Sequence, residues 1–109
     1  LKGMFASAEP GSVGASLAIQ GRDLAGKVQL VGFDSSASLI EDLRKGVIQA
    51  LVVQDPFRMG FEAVRTIVDR LNGKEPPKRM DLSAVVVRNE DLSKPEIKQL
   101  LSPELRKNL

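Results

Sequence analysis

Apolar residues cluster in four short runs along the chain, separated by polar segments. The runs lie at residues 1–6, 28–33, 47–53 and 82–87. They are continuous and lack the period-two alternation of half-exposed strands, which is typical of strands covered on both faces of a parallel sheet. The order strand–helix repeats three times and is followed by a strand and a terminal helix, which predicts an α/β fold.

The first two segments between these runs carry apolar residues at helical spacing. The stripe predicted to be buried in the first helix is Val13, Leu17 and Leu24, widened by Ala15, Ala18 and Ile19. In the second helix it is Leu39, Ile40 and Leu43. Two starts are open for the second helix: a capping box formed by Ser38 and Glu41, or a cap at Ser36 one turn earlier. Gly46 is placed to end it in a left-handed conformation.

The third intervening segment has the strongest helical pattern in the chain. Its apolar positions are Phe57, Phe61, Val64, Val68 and Leu71, widened by neighbouring apolar residues. The pattern predicts a helix that contributes this face to the core. A polar, proline-bearing crossing segment follows at residues 74–79.

Composition narrows the functional classes without selecting one. The 109 residues suit one small domain, and 42% hydrophobic with 28% charged residues is typical of a soluble globular protein. The sequence has no Cys and no His, which excludes a disulfide framework, a Cys/His zinc site, a cysteine nucleophile and a histidine base. With 16 basic and 14 acidic residues, the chain is not expected to bind nucleic acid.

Catalytic signals are missing from the pattern. The sequence contains no phosphate-binding loop, no nucleophile elbow and no carboxylate pair set for acid–base work. An enzyme is therefore disfavoured, and no cofactor or metal is expected.

Polar side chains follow each of the first three predicted strands. They are Ser7 and Glu9, then Asp34, Ser35 and Ser36, then Gln54 and Asp55. Ligands of open α/β sheets bind outside the carboxyl ends of the strands, and this set of acceptors, amide and hydroxyls suits a polyhydroxylated molecule. The alternative for Ser36 and Asp34 is helix capping, and for Glu9 it is stabilisation by the helix dipole. Gln54 has the alternative of a strand-end residue that satisfies only its own loop.

Several strings in the chain resemble a known family. GMFASAEPGSVGA, VQLVGFDSS, GVIQALVVQDPFRMGFEAV and LNGKEPP occur in the order and spacing of the carboxyl-terminal part of the ribose-binding-protein family. These proteins are periplasmic sugar-binding components of ABC importers, and their fold is shared with the effector domains of lactose-repressor-type regulators. The resemblance covers about residues 3–90.

The resemblance implies roles for individual residues. Asp34 matches a carboxylate that accepts hydrogen bonds from sugar hydroxyls, and Gln54 matches an amide at the hinge that contacts the sugar. Ala8 stands where the family usually has an Asn. Three explanations stay open: the ligand lacks the matching hydroxyl, Ser7 or Glu9 compensates, or sugar binding is degraded.

The resemblance also implies a division of the chain. Residues 1–55 would belong to the carboxyl-terminal lobe of a type I periplasmic-binding-protein fold, with a three-layer, Rossmann-like parallel sheet. Residues 56–79 would hold a helix and a crossing segment of the other lobe, and residues 80–109 the return strand, terminal helix and tail. Because the family is two-lobed and more than twice as long, we expect the chain to be a piece of a longer protein.

Helix 57–72 would then lack the sheet on which it packs. Its face is too apolar to stand in water, so the isolated chain is expected to fold back on itself or to self-associate through this helix.

The function implied is that of a monosaccharide-binding component of an ABC uptake transporter. Its partners would be a small sugar or related polar molecule and a membrane permease, and its location periplasmic or extracellular. The alternative is the ligand-sensing effector domain of a lactose-repressor-type regulator. A further helix at residues 95–101 favours the transport branch.

Overall fold

The computed structural model describes residues 1–102, which form two compact units. The first comprises residues 1–53 and 85–102, and the second residues 54–84. In chain order the elements are β1 (Gly3–Phe5), α1 (Glu9–Gly21), β2 (Gln29–Phe33), α2 (Ala37–Arg44), β3 (Ala50–Val53), α3 (Pro56–Leu71), β4 (Val85–Val87), a 3₁₀ helix (Asn89–Ser93) and α4 (Pro95–Leu101). The predicted tail beyond residue 102 lies outside the described residues.

The four strands form one sheet in the order β1-β2-β3-β4, so the predicted α/β class is confirmed. The pairs β1–β2 and β2–β3 are parallel. Strand β4 was expected to be parallel as well, and it is antiparallel, with Val85 opposite Val53 and Val87 opposite Leu51. The chain leaves β3 at Val53 and enters β4 at Val85, which lies opposite Val53. Strand β4 therefore runs back along β3 in the opposite direction.

The core of the first unit lies between the sheet and its helices. Leu30, Leu51 and Val87 from three strands and Leu39 and Leu43 from α2 are almost completely buried. Burying a large aliphatic side chain stabilises a fold by roughly 1.5–3 kcal/mol, and each of these five side chains contributes an amount of this order.

The other face of the sheet is open to solvent in the described residues. Phe5 is 59% exposed and Val86 50% exposed. The ring of Phe5 makes an edge-to-face contact with Phe33 on this side, with centroids 6.4 Å apart. The continuous apolar runs predicted strands covered on both faces, and the described residues supply the cover for one face.

Helix α1 buries only part of the stripe predicted for it: Ile19 is buried as predicted, but Leu17 is not. Its buried residues are Ser12, Ser16 and Ile19, whereas Leu17 is 63% exposed. Val13 and Leu24 are half-buried against the core. The two serines tolerate burial because their hydroxyls are hydrogen-bonded, which a count of apolar positions does not register.

The structure shows which of the two possible starts of α2 is used. Ser36 is its N-cap, and its hydroxyl accepts a hydrogen bond from the N–H of Leu39 at 3.5 Å. A start at the Ser38–Glu41 box is therefore wrong, because Ser38 already lies inside the helix. Gly46 follows the helix with φ at 75°, which confirms the predicted left-handed position.

In the second unit, the predicted helix is confirmed as α3, but its predicted place in the core is wrong. None of its residues is buried, and the exposed fractions of the apolar stripe lie between 37% at Phe57 and 81% at Leu71. Helical spacing determines which side chains share a face, while burial also needs a surface to pack against. Within residues 1–102, no helix is both long enough and apolar enough to cross a membrane.

Candidate functional site

The candidate site of the first unit lies at the carboxyl edge of the parallel strands. Because β1 and β2 are parallel neighbours, the segments that follow them emerge at the same edge. Ser7, Ala8 and Glu9 follow β1, and Asp34 follows β2 directly. The structure therefore brings these four predicted site residues to one edge of the sheet.

Asp34 has an unusual backbone conformation, with φ at 66°. This left-handed region costs a residue other than glycine about 1–3 kcal/mol, and it persists only where the surroundings impose it. The N–H of Asp34 donates to the carbonyl oxygen of Val52 at 2.8 Å, so β3 holds the backbone at this point. The residue is half-buried, and no group in residues 1–102 donates a hydrogen bond to its carboxylate. The carboxylate is thus positioned and free to accept hydrogen bonds from a ligand.

The segment between β1 and α1 exposes Ser7, Ala8 and Glu9. Ala8 is the N-cap of α1 and has an extended backbone, with no side-chain cap. Glu9 begins the helix and Pro10 follows it, so the carboxylate of Glu9 lies at the positive end of the helix dipole. Ala8 brings only a methyl group and its backbone to this loop.

Ser12, which was not predicted as a site residue, links these two loops. Its hydroxyl donates to the carbonyl oxygen of Ala8 at 2.9 Å and accepts from the N–H of Phe33 at 2.9 Å. Gly32 permits this approach, because a Cβ there would lie 3.1 Å from the Ser12 Oγ and 2.9 Å from a Leu51 methyl carbon. The sequence signal was an isolated glycine inside a strand, which often marks close approach of another backbone.

Two other polar residues at the strand ends cap helices. Ser36 caps α2, and the Oδ1 of Asp55 accepts from the N–H of Arg58 at 3.0 Å in the first turn of α3. Gln54 is the first residue of the second unit and follows Val53, the last residue of β3. Its side chain is exposed. Capping thus accounts for Ser36 and Asp55, while Gln54 has no structural role of this kind.

The sequence matches the periplasmic binding protein domain over residues 1–75. The chain belongs to this family. The predicted resemblance is therefore confirmed at the level of the family and of the type I periplasmic-binding-protein fold.

Solved structures of sugar-binding proteins are similar to this family member over most of its length. A carbohydrate transporter solute-binding protein from Agrobacterium radiobacter, in complex with D-arabinose, is 35% identical with a TM-score of 0.86. The match covers 93% of this chain and 34% of the other. An ABC transporter solute-binding protein from Agrobacterium vitis with bound D-fucose is 37% identical, with a TM-score of 0.86 and coverage of 93% and 35%.

A third similar structure is an ABC transporter periplasmic solute-binding protein from Actinobacillus succinogenes with bound D-allose. It is 30% identical, with a TM-score of 0.76 and coverage of 83% of this chain and 32% of the other. The chain thus spans about a third of the length of each of these proteins. Among curated protein sequences, none matches the chain.

Proposed function

We propose that the chain is the carboxyl-terminal part of a monosaccharide-binding protein that serves an ABC uptake transporter. The observation that carries the proposal is the 35–37% identity, over 93% of the chain, to solute-binding proteins with bound D-arabinose and D-fucose. The free carboxylate of Asp34 at the carboxyl edge of the sheet supports it from the chemistry of this chain.

Binding in this proposal needs no covalent chemistry. Asp34 accepts hydrogen bonds from sugar hydroxyls, and a charged acceptor makes such bonds stronger than neutral ones. Gln54 contributes an amide that both donates and accepts, and Ser7 and Glu9 contribute at the rim. A sugar of the wrong configuration would leave one of these groups unpaired, which is the source of specificity.

Ala8 sets a limit on the ligand in this proposal. Its side chain is a methyl group, so it can contact the sugar only through its backbone or through apolar contact. The Asn that the family usually has at this position can both donate and accept hydrogen bonds. Ser7 and Glu9 flank it and are exposed. We infer that the ligand either lacks one hydroxyl or turns that hydroxyl toward Ser7 or Glu9.

We further propose that the 109 residues are one segment of a two-lobed protein. Residues 1–55 would belong to the carboxyl-terminal lobe, residues 56–79 to a helix and crossing segment of the other lobe, and residues 80–109 to the return strand, terminal helix and tail. Two open apolar surfaces support this division: the sheet face with Phe5 and Val86, and the stripe of α3.

The isolated chain would bury the stripe of α3 in another way. We propose that it self-associates through helix 57–72, because an exposed apolar face of this length is unfavourable in water. In the longer protein the same face would be covered by the other lobe.

The partner of the longer protein would be the permease of an ABC importer. Its location would be periplasmic or extracellular, as in the family of periplasmic binding proteins. The alternative, an effector domain of a transcription regulator, is not favoured because the similar proteins at 30% identity or more are transport solute-binding proteins. A binding role without catalysis agrees with these relatives.

Calorimetric titration of the full-length protein with D-arabinose, D-fucose and D-allose tests the proposal. We expect micromolar or tighter binding of one sugar and a loss of at least about tenfold in affinity for Asp34→Ala. Asp23→Ala is the matched control, because Asp23 also has a positive φ, at 52°, but lies in the turn after α1.

The control separates the two explanations of a weakened variant. If removal of either aspartate weakens binding equally, backbone strain accounts for the loss and Asp34 is not a ligand. If no sugar releases heat, sugar binding is wrong and other small polar molecules become the candidates.

A further inference from the structure

A buried serine connects the loops that carry the candidate ligand residues. Ser12 is completely buried although its side chain is polar. Its hydroxyl donates its single proton to the Ala8 carbonyl oxygen at 2.9 Å and accepts from the Phe33 N–H at 2.9 Å. The carbonyl oxygen of Phe33 is a second neighbour at 3.3 Å. One side chain therefore ties the segment after β1 to the last residue of β2.

The Ser12 hydroxyl takes the place of a β1 carbonyl oxygen at the end of β2, where β1 has already ended. On the side of β2 that faces β1, the N–H of Gln29 donates to the carbonyl oxygen of Lys2. Strand hydrogen bonds repeat every second residue, so the N–H of Phe33 points to the same side. The chain has already left the sheet there, and the Ser12 hydroxyl accepts the bond instead.

The next backbone amide, that of Asp34, is hydrogen-bonded on the opposite side of β2, toward β3. The N–H of Asp34 donates to the Val52 carbonyl oxygen at 2.8 Å, toward β3. Two successive peptide groups are thus fixed by bonds in opposite directions immediately before the left-handed backbone of Asp34. A residue in that conformation returns to an ordinary one when its surroundings no longer impose it.

We propose that Ser12 is a positioning residue that holds the Asp34 carboxylate in its ligand-binding orientation. The inference rests on the proposed function, since it assigns a role through Asp34. Gly32 takes part by leaving room, because a Cβ there would lie 3.1 Å from the Ser12 Oγ and 3.2 Å from its Cβ. At this point α1 approaches β2 closely because both residues, Ser12 and Gly32, are small.

Ser16 provides a matched comparison in the same helix. It is also completely buried, and its hydroxyl donates to the Oδ2 of Asp42 at 2.6 Å and accepts from Gln20 at 3.2 Å. The bond to Asp42 ties α1 to the second half of α2, one turn farther along α1 from the candidate site. Loss of either hydroxyl leaves a buried polar group without its partner, but only Ser12 contacts the residue next to Asp34.

The first experiment compares Ser12→Ala with Ser16→Ala in the full-length protein. Each variant is titrated with whichever of D-arabinose, D-fucose and D-allose binds the unsubstituted protein most tightly. We expect Ser12→Ala to weaken binding about tenfold and Ser16→Ala to change it by less than about twofold. Equal losses in the two variants would overturn the proposal.

A double-mutant cycle tests whether Ser12 acts through Asp34. If it does, Ser12→Ala causes no further loss of affinity when Asp34 is already replaced by Ala. A purely structural role would reduce affinity by the same factor in both backgrounds, and that result would contradict the assignment.

Hydrogen exchange keeps the proposal testable if Ser12→Ala does not fold. In the unsubstituted protein, we expect the Phe33 amide to exchange slowly and its protection to increase when the sugar is added. Exchange at the rate of an exposed amide would show that the serine bond is not maintained in solution.

The outcomes distinguish this inference from the function on which it depends. If Asp34→Ala binds the sugar as tightly as the unsubstituted protein, the role of Asp34 as a ligand fails first. If Asp34→Ala loses affinity while Ser12→Ala and Ser16→Ala behave alike, only the positioning role of Ser12 is wrong.

Discussion

Helices α2 and α3 both carry apolar residues at helical spacing, but only α2 buries them. Leu39 and Leu43 of α2 lie in the core of the first unit, whereas α3 in the second unit has no buried residue. The apolar stripe of α3 is the longer and more regular of the two. The difference shows that regular spacing predicts a helix and its apolar face, while burial depends on a second surface that the chain must also supply.

The same contrast separates the two faces of the sheet. On one face Leu30 and Leu51 are completely buried, and on the other Phe5 and Val86 are largely exposed. Exposed apolar surfaces of this kind mark sites of association in soluble proteins. We expect the covered region to carry the stability of the chain and the open surfaces to carry its contacts.

The strongest test of this comparison removes one leucine from each region. Leu51→Ala should destabilise the chain by about 2–5 kcal/mol, because the side chain is fully buried and leaves a cavity. Leu71→Ala should change stability by less than about 0.5 kcal/mol, since Leu71 is 81% exposed. Urea denaturation, followed by circular dichroism at concentrations where the chain is monomeric, measures both. Similar losses would mean that α3 is packed in solution.

One glycine in each region sharpens the comparison, because substitution by alanine should lower stability at one and raise it at the other. Gly32→Ala in β2 should destabilise the fold by about 1–3 kcal/mol, since the new Cβ would lie 2.9 Å from a methyl carbon of Leu51. Gly60→Ala in α3 has no neighbour within 4 Å and should stabilise the helix by about 0.5–1 kcal/mol. Thermal unfolding of the two variants measures the difference, and a loss of stability for Gly60→Ala would reveal a neighbour at α3.

Association of the isolated chain tests the open face directly. Val64→Lys should weaken self-association at least about tenfold, because it places a charge in the apolar stripe. Thr66→Lys is the control, since Thr has the same shape as Val and Thr66 lies outside the stripe. Sedimentation equilibrium measures both variants. A monomeric unsubstituted chain, or equal effects from both changes, would contradict the proposed contact.

The smallest expected effect concerns one exposed ion pair in each region. The hydrogen bond from Lys94 lowers the pKa of Asp91, with a second contribution from the backbone N–H of Arg88, and the bond from Lys74 lowers the pKa of Asp69. Each aspartate therefore adds stability above the pKa it has in the unfolded chain, and this stability is lost as pH falls through the lowered pKa.

Removal of each lysine should reverse the shift. Lys94→Ala should raise the pKa of Asp91, and Lys74→Ala should raise that of Asp69, as followed by NMR titration of the carboxyl carbons. The reciprocal shift has the opposite pH dependence: Asp91 raises the pKa of Lys94, so that contribution is lost only as pH rises through the raised pKa. An unchanged titration of either aspartate would show that its pair is broken in solution.

The candidate site could be located from the sequence to the level of a sheet edge. Polar residues after the apolar runs predicted that Ser7, Glu9 and Asp34 would lie at one edge, and the family resemblance added Ala8 between the first two. Parallel pairing of β1 with β2 puts all four there. Their roles as ligands stay predictions, as does that of Gln54. The serine that joins the two loops was missed, because a buried polar residue is recognised by its hydrogen bonds and not by its type.

Particular errors share a common physical origin. Leu17 was predicted to be buried in α1, but Ser12 and Ser16 lie inward instead because the sheet and α2 offer them hydrogen-bond partners. The direction of β4 was predicted as parallel, but residues 54–84 return the chain to the edge it left. In both cases, the deciding contact comes from residues distant in sequence.

The sequence by itself determined the α/β class, the position of each helix and the family, because local periodicity and short motifs specify these features. It also determined the apolar character of α3. The tertiary structure decided which of these surfaces are buried, which serine hydroxyls pair, and that Asp34 adopts a left-handed backbone between two fixed peptide groups. These features arise from contacts between distant segments, and their energies depend on distances that no local pattern contains.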